Sequence, residues 1–196
     1  MDILLISRCP PFPLYFGDRL IPYHLARCLS ERRHAIDLLA FYNRPADVTD
    51  IPRYEQFFRS IQLIREPQRG PLAYARRLYG GSFFPQSANA AWSGAMWQAI
   101  REQLTIGDYD AVHLFGGIQV YEYRELALPH PNLITPYESY SLYLTRAHEQ
   151  RSGHARWLRQ LELGIARQYE KRMFVGFDRV VVLAEADAQA LHTLQP

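Results

Sequence analysis

The chain alternates short apolar runs with longer amphipathic stretches. Ile3-Leu4-Leu5-Ile6 is continuously apolar, as expected of a central strand covered on both faces. Later runs at 35–42, 58–64, 109–115, 132–137 and 178–184 read the same way, giving about six strands or more. Between them, apolar residues recur at spacings of three and four. Residues 18–31 predict a helix with Leu20, Ile21, His24, Leu25, Cys28 and Leu29 on its buried face, and Asp18 is placed to cap it or complement its positive end. Further helices are predicted within 71–80 and 87–104, and at 140–149, 154–174 and 185–194. In 154–174 the predicted buried stripe is Leu158, Leu161, Ile165, Tyr169 and Met173. Strands alternating with helices predict an α/β fold, a Rossmann-like parallel sheet with helices on both faces.

Length and composition narrow the class. At 196 residues the chain suits one sizeable core, so 1–196 reads as a single domain. A net charge of +2 offers no global argument for nucleic acid or membrane binding. Of the 22 basic residues 21 are arginine, which suits carboxylate and phosphate recognition, although a genomic codon bias produces the same count. Cys9 and Cys28 lack metal-type spacing and read as reduced thiols of a cytoplasmic protein. The N-terminus lacks a signal-peptide pattern, and no stretch approaches the roughly 20 apolar residues of a membrane span. Arg156, Arg159, Arg167, Lys171 and Arg172 on the long helix read as a solvated face. A weak peripheral contact with anionic lipid at the inner face of the membrane is the alternative.

Ligands of open α/β sheets bind beyond the carboxyl ends of the strands, near the reversal of strand order. The loops to search are therefore 7–19, 115–120, 136–141 and 184–187. None carries G-x-G-x-x-G, and the chain has no G-x-x-x-x-G-K-[ST], G-x-S-x-G or H-E-x-x-H, which disfavours several large enzyme classes. The first loop, with Pro10, Pro11 and Pro13, exceeds the usual roughly 2–6 residues and is aromatic rather than disorder-like. Gly17-Asp18-Arg19 follows it. Gly17 and the helix amides can form an anion site, Arg19 can pair with a phosphate or carboxylate, and Asp18 can hold a sugar hydroxyl. A turn glycine, a capping aspartate and a solvated arginine is the plainer reading. His24 is expected in the core, and His113 is either a core partner or a site residue. Glu138, with Ser139 and Ser141 beside it, either accepts hydrogen bonds from sugar hydroxyls or moves a proton, or simply complements a helix start. Glu185 and Asp187 read as helix-start acids. The aromatic residues of 74–97 read as core or as a groove lining.

The stretch "MDILLISRCPPFPLYFGDRLIPYHLARCLSERRHAIDLLAFY" resembles the start of retaining glycosyltransferases of the GT-B fold, and in particular the group 1, family 4-like enzymes. There, a strand leads through a proline-rich loop and a glycine pair to an Asp-Arg helix with Tyr-His in its second turn. Asp18, Arg19, Tyr23 and His24 match, with Phe16-Gly17 where Gly-Gly is common. The similarity resumes at "YDAVHLF", "ESYSLYL" and "YEKRMFVGFDRVVVLAEADAQAL". Phe115 stands where many members carry histidine, Glu138 where aspartate is usual, and Ala184 where serine is usual.

The resemblance implies an N-terminal, acceptor-binding domain of a hexosyltransferase, inactive in isolation, whose C-terminal donor-binding domain lies outside this chain. It implies acceptor or donor-phosphate contacts from Gly17, Asp18, Arg19, Ser139 and Ser141. Glu138 and His113 are the catalytic candidates, with no metal and no cofactor beyond the nucleotide-sugar donor as substrate. The implied partners are a saccharide or lipid-linked acceptor and the chain's own C-terminal domain, with no nucleic acid. Surface polysaccharide or glycolipid biosynthesis is the implied setting. A non-catalytic carbohydrate- or protein-binding module of the same fold is the alternative.

Overall fold

The computed structural model describes residues 1–67, 92–149 and 156–194. Six strands, β1 (Asp2–Ser7), β2 (Ala35–Tyr42), β3 (Ser60–Arg65), β4 (Ala111–Phe115), β5 (Asn132–Thr135) and β6 (Arg179–Val180), form one sheet in the order β3-β2-β1-β4-β5-β6. Every pairing is parallel. The described helices are α1 (Gly17–Glu31), α2 (Pro45–Thr49), α3 (Gly94–Ile106), α4 (Ile118–Tyr121), α5 (Arg124–Ala127), α6 (Tyr140–Glu149), α7 (Arg156–Met173) and α8 (Glu185–Leu194). The helix predicted within 71–80 falls outside the described residues.

Strand alternation sorts the core into two layers. Leu4 and Ile6, with Phe41 and Leu114, face Met96 and Ile100 of α3 and Tyr169 and Met173 of α7. Leu5, with Ile36, Leu38 and Phe115, faces Ala26 of α1 and Tyr54. Helices thus cover both faces of a six-stranded parallel sheet, the Rossmann-like α/β fold expected. The amino-terminal edge is fastened by buried Asp37, which accepts hydrogen bonds from Arg59, from Ser60 Oγ at 2.6 Å and from Tyr109 Oη at 2.8 Å. The opposite, carboxyl edge carries the long loops.

Three details depart from the hydropathy pattern. In α1 the buried positions are Arg19, Pro22 and Ala26, and His24 and Cys28 are exposed. His24 is therefore a surface residue, not the core histidine expected. In α7 Leu161 and Ile165 are exposed, and the inward stripe is Leu163, Ala166, Tyr169, Glu170 and Met173. It is centred on a small residue and an acid, which hydropathy does not mark as buried. β6 spans two residues rather than the run 178–184, with Val181 and Leu183 exposed at the sheet edge. Among the described residues no helix is long and apolar enough to cross a membrane.

Candidate functional site

Strand order turns at β1 and β4, which are neighbours whose next strands lie on opposite sides. The crevice at their carboxyl ends is the ligand position of this architecture. Its first wall is the loop from Arg8 to Phe16, which contains a cis Phe12–Pro13 peptide. Ser7 Oγ donates to the Cys9 carbonyl at 2.8 Å. Arg19 points inward, with its side chain only 7% exposed. Its Nη1 donates to the carbonyls of Pro10 and Phe12 and, at 2.9 Å, to Asp47 Oδ1. Asp47 is also gripped by Arg44 at 2.8 Å and accepts the Asn43 and Arg44 amides at the start of α2. One buried guanidinium therefore ties the loop after β1 to the loop after β2. Arg19 is neither solvated nor facing a ligand.

The rim of this wall is open. Gly17 is exposed, and a Cβ added there would meet nothing within 4 Å. Tyr15 and Phe16 stand beside it, 75% and 48% exposed, with ring centroids 4.7 Å apart. The N-cap of α1 is Phe16, without a side-chain cap, so Asp18 does not cap the helix. Its carboxylate lies 3.5 Å from Arg8 Nη1 and 3.7 Å from Cys9 Sγ. Burial, then the Asp18 charge, pushes the Cys9 thiol up to about 12, so it is a neutral, packed thiol at physiological pH.

The second wall is the turn after β4. Gly116 has φ +132°, and an added Cβ would come 2.8 Å from Arg8 Cβ and 3.1 Å from Tyr137 Oη. Only glycine meets both demands. Tyr137, after β5, donates to the Asp18 carbonyl at 3.4 Å, packs on Phe115, and lies beneath Arg8, whose guanidinium carbon is 5.9 Å from the ring centroid. Gly116→Ala should therefore cost about 1–3 kcal/mol through backbone strain alone. A thermal melt indistinguishable from wild type would show that the turn relaxes.

Phe115, standing where the resembled family often has histidine, is 1% exposed and belongs to the core between His113 and Tyr137. His113 is also buried, with Nε2 2.8 Å from Thr135 Oγ1, and burial lowers its pKa to about 4. It is a neutral core histidine inside the sheet layer.

Beyond β5, Glu138 is exposed at the carboxyl edge. Partial burial and the nearby Asp187 charge raise its pKa, against a lowering by Arg146. Ser139 and Ser141 are buried instead. Ser139 Oγ accepts the Leu142 amide at 3.3 Å and lies 3.3 Å from both Ser141 Oγ and Glu170 Oε2. Glu170 reaches from α7 to accept the Tyr140 and Ser141 amides at 2.5 and 3.2 Å. Asp187, from α8, accepts the Ser139 amide at 2.8 Å. The positive start of α6 is thus filled by the chain's own carboxylate.

The structure gathers Gly17 and Asp18 at the crevice with Arg8, Gly116 and Tyr137, and leaves Glu138 open on the next strand end. It turns Arg19, Ser139, Ser141 and His113 into the protein. Arg8, Gly116 and Tyr137 had a legible signal, since each lies within two residues of a predicted strand's carboxyl end. Glu170 had none. A separate cavity of about 190 Å³ is lined mainly by apolar residues, among them Phe174, Val180, Val182 and Leu191, with Glu170 and His192 as its polar members. Among the described residues no group of three or more His, Cys, Asp or Glu is arranged to hold a metal ion.

No family model matches the sequence, and no curated protein matches it significantly. Solved structures match it by shape. The chain is similar to Phytolacca americana UGT2, solved with UDP-2-fluoro-glucose and pterostilbene, with a TM-score of 0.54 and 12% identity over 99% of this chain and 50% of that one. It is similar to the N-terminal domain of Candida albicans trehalose-6-phosphate phosphatase, with a TM-score of 0.53 and 10% identity over 98% and 42%. A UGT transferase from Siraitia grosvenorii, solved with UDP, has a TM-score of 0.49 and 14% identity over 96% and 46%. The chain spans about half the length of these structures or less. At such identities the likeness is one of fold, and the fold is glycosyltransferase-like.

Proposed function

We propose that this chain is the N-terminal, acceptor-binding half of a nucleotide-sugar-dependent glycosyltransferase of the GT-B type, retaining and family 4-like. The observation that supports the reading is the reversal of strand order between β1 and β4 with the exposed Gly17 at its rim, on a fold similar to about half of Phytolacca americana UGT2, solved with UDP-2-fluoro-glucose. The Gly17 amide region and the Arg8 guanidinium take the anionic part of the donor or acceptor, and Asp18 orients Arg8. Tyr15 and Phe16 offer aromatic faces to a sugar ring. Glu138 contacts acceptor hydroxyls and, with its raised pKa, is the candidate for proton transfer. Arg19, Ser139 and Ser141 hold the walls. The donor is bound mainly by a C-terminal domain beyond this chain, and the acceptor is a saccharide or a lipid-linked saccharide of a surface polysaccharide or glycolipid.

The test is transfer by the full-length protein from a panel of nucleotide sugars, comparing wild type with Gly17→Val and Glu138→Ala. Because an added side chain at Gly17 meets open space, Gly17→Val should melt within about 2 °C of wild type yet lose roughly 10-fold or more in kcat/KM. Unchanged transfer by both variants would remove this site assignment. No transfer from any donor by the wild-type protein would favour a binding module on the same fold.

A further inference from the structure

We propose that the outward face of α7 docks on an anionic lipid bilayer. Trp157, Leu161 and Ile165 are 67%, 55% and 38% exposed. Spaced by four, they advance about 40° at each step and form one stripe on the helix surface. Arg172 continues the stripe seven residues after Ile165, and Arg167 and Lys171 flank it, all exposed. Among the described residues, the other exposed positions of the helix are Gln160, Gly164 and Gln168 on this side and Glu162 outside it. The face thus combines a tryptophan and two aliphatic side chains with three cations and no acid. The acidic Glu162 lies on the flank towards Tyr140, whose pKa is raised first by burial and then by the Glu162 charge.

A bilayer interface fits this chemistry better than the alternatives. Tryptophan prefers the headgroup level, aliphatic side chains enter the acyl boundary, and cations gain from anionic headgroups. A second copy of the chain would bring two cationic faces together. Three partly exposed apolar side chains also fall short of the roughly 800 Å² per partner of a stable protein interface. Nucleic acid would satisfy the cations but strand Leu161 and Ile165.

The position of the stripe gives the docking a use. Glu170 sits at the carboxyl end of β5, where it holds the start of α6. Trp157 lies thirteen residues back along α7, about 20 Å along the helix at 1.5 Å per residue, on the side away from the connection to β6. Because β5 and β6 are parallel, the helix leading into β6 runs back from the carboxyl edge, so we place its Trp157 end on the carboxyl-edge side of the sheet. A bilayer touching it would bring membrane-embedded molecules to the level of the site. The docking does not depend on the reaction proposed above, because its readout is binding.

The experiment is co-sedimentation of the full-length protein with vesicles of phosphatidylcholine alone or mixed equally with phosphatidylglycerol. Binding to the anionic vesicles is expected to exceed that to the neutral ones by about 10-fold or more, and to fall in 0.5 M salt. Trp157→Gln with Leu161→Gln, and separately Arg167→Glu with Arg172→Glu, should each reduce it about 10-fold without lowering the melting temperature. Brominated lipid should quench tryptophan fluorescence in the wild type, and much less in Trp157→Phe. Equal binding by the variants, quenching unaffected by Trp157→Phe, or no capture by anionic vesicles overturns the proposal. So does a dimer in sedimentation that Trp157→Gln with Leu161→Gln dissociates, because a second copy would then own the face.

Discussion

An Asp47→Ala chain should melt roughly 10 °C below wild type. The Asp47 side chain is fully buried and that of Arg19 is 7% exposed, so the pair is a buried one. Removing one partner of a buried pair leaves the other charge stranded and costs about 3–5 kcal/mol. In a chain of this size each kcal/mol moves the midpoint by about 2–4 °C. Burial alone would raise the Asp47 pKa, but hydrogen bonds from Arg44 and Arg19 outweigh it and hold the carboxyl below its ordinary value. The group's contribution is therefore complete above the unfolded value of about 3.9 and is lost as pH falls through the lower folded value. The gap between wild type and variant should be full at pH 7 and narrow only below about pH 4. Arg19→Met with Asp47→Leu should recover part of the loss, because apolar replacement removes both desolvated charges. A single variant that melts within about 2 °C of wild type would show that the loop after β1 is held by something else.

On the proposed function, Arg8→Ala should leave the fold nearly intact while lowering kcat/KM for transfer by the full-length protein by roughly 10- to 100-fold. The Arg8–Asp18 contact is long, 3.5 Å, and half-exposed at 38% and 28%. Such a pair contributes at most about 1 kcal/mol to stability. A charge-assisted hydrogen bond to a ligand phosphate or carboxylate is stronger, about 1.5–3 kcal/mol, which sets the expected loss in rate. Arg8→Lys keeps the charge but not the planar fork, and should fall between the two. The measurement is steady-state transfer beside a thermal melt. Full activity in Arg8→Ala would move the anion contact elsewhere, and a melting point depressed by 10 °C would make Arg8 a wall residue like Arg19.

The sheet was legible because its signal is local. The nearly continuous apolar run Ala35–Tyr42 marks β2 to the residue, and periodicity marks α6 and α8 over the ranges they occupy. What escaped was decided by distant partners. Arg19 looks like a surface cation until Asp47, 28 residues on, is folded against it. Ser139 and Ser141 look like ligands for hydroxyls until Glu170 arrives from another helix and occupies them. The α7 stripe slipped for the same reason, because a buried glutamate and a buried alanine leave no mark in a hydropathy pattern. At the crevice the topology indicated where to look, and side-chain orientation then exchanged one arginine for another: Arg19 turned in, Arg8 stayed out.

Glu170 also divides the carboxyl edge by charge. By filling the polarised start of α6 with a carboxylate from within, the chain cancels the field that would otherwise draw an anion over β5. A phosphate gains nothing by settling there, whereas an uncharged, hydroxyl-rich group loses nothing. On the β1–β4 side the start of α1 carries no side-chain cap, and Arg8 stands beside it. In the function proposed, one edge of one sheet would sort two kinds of ligand by address, the anionic to one end and the neutral to the other.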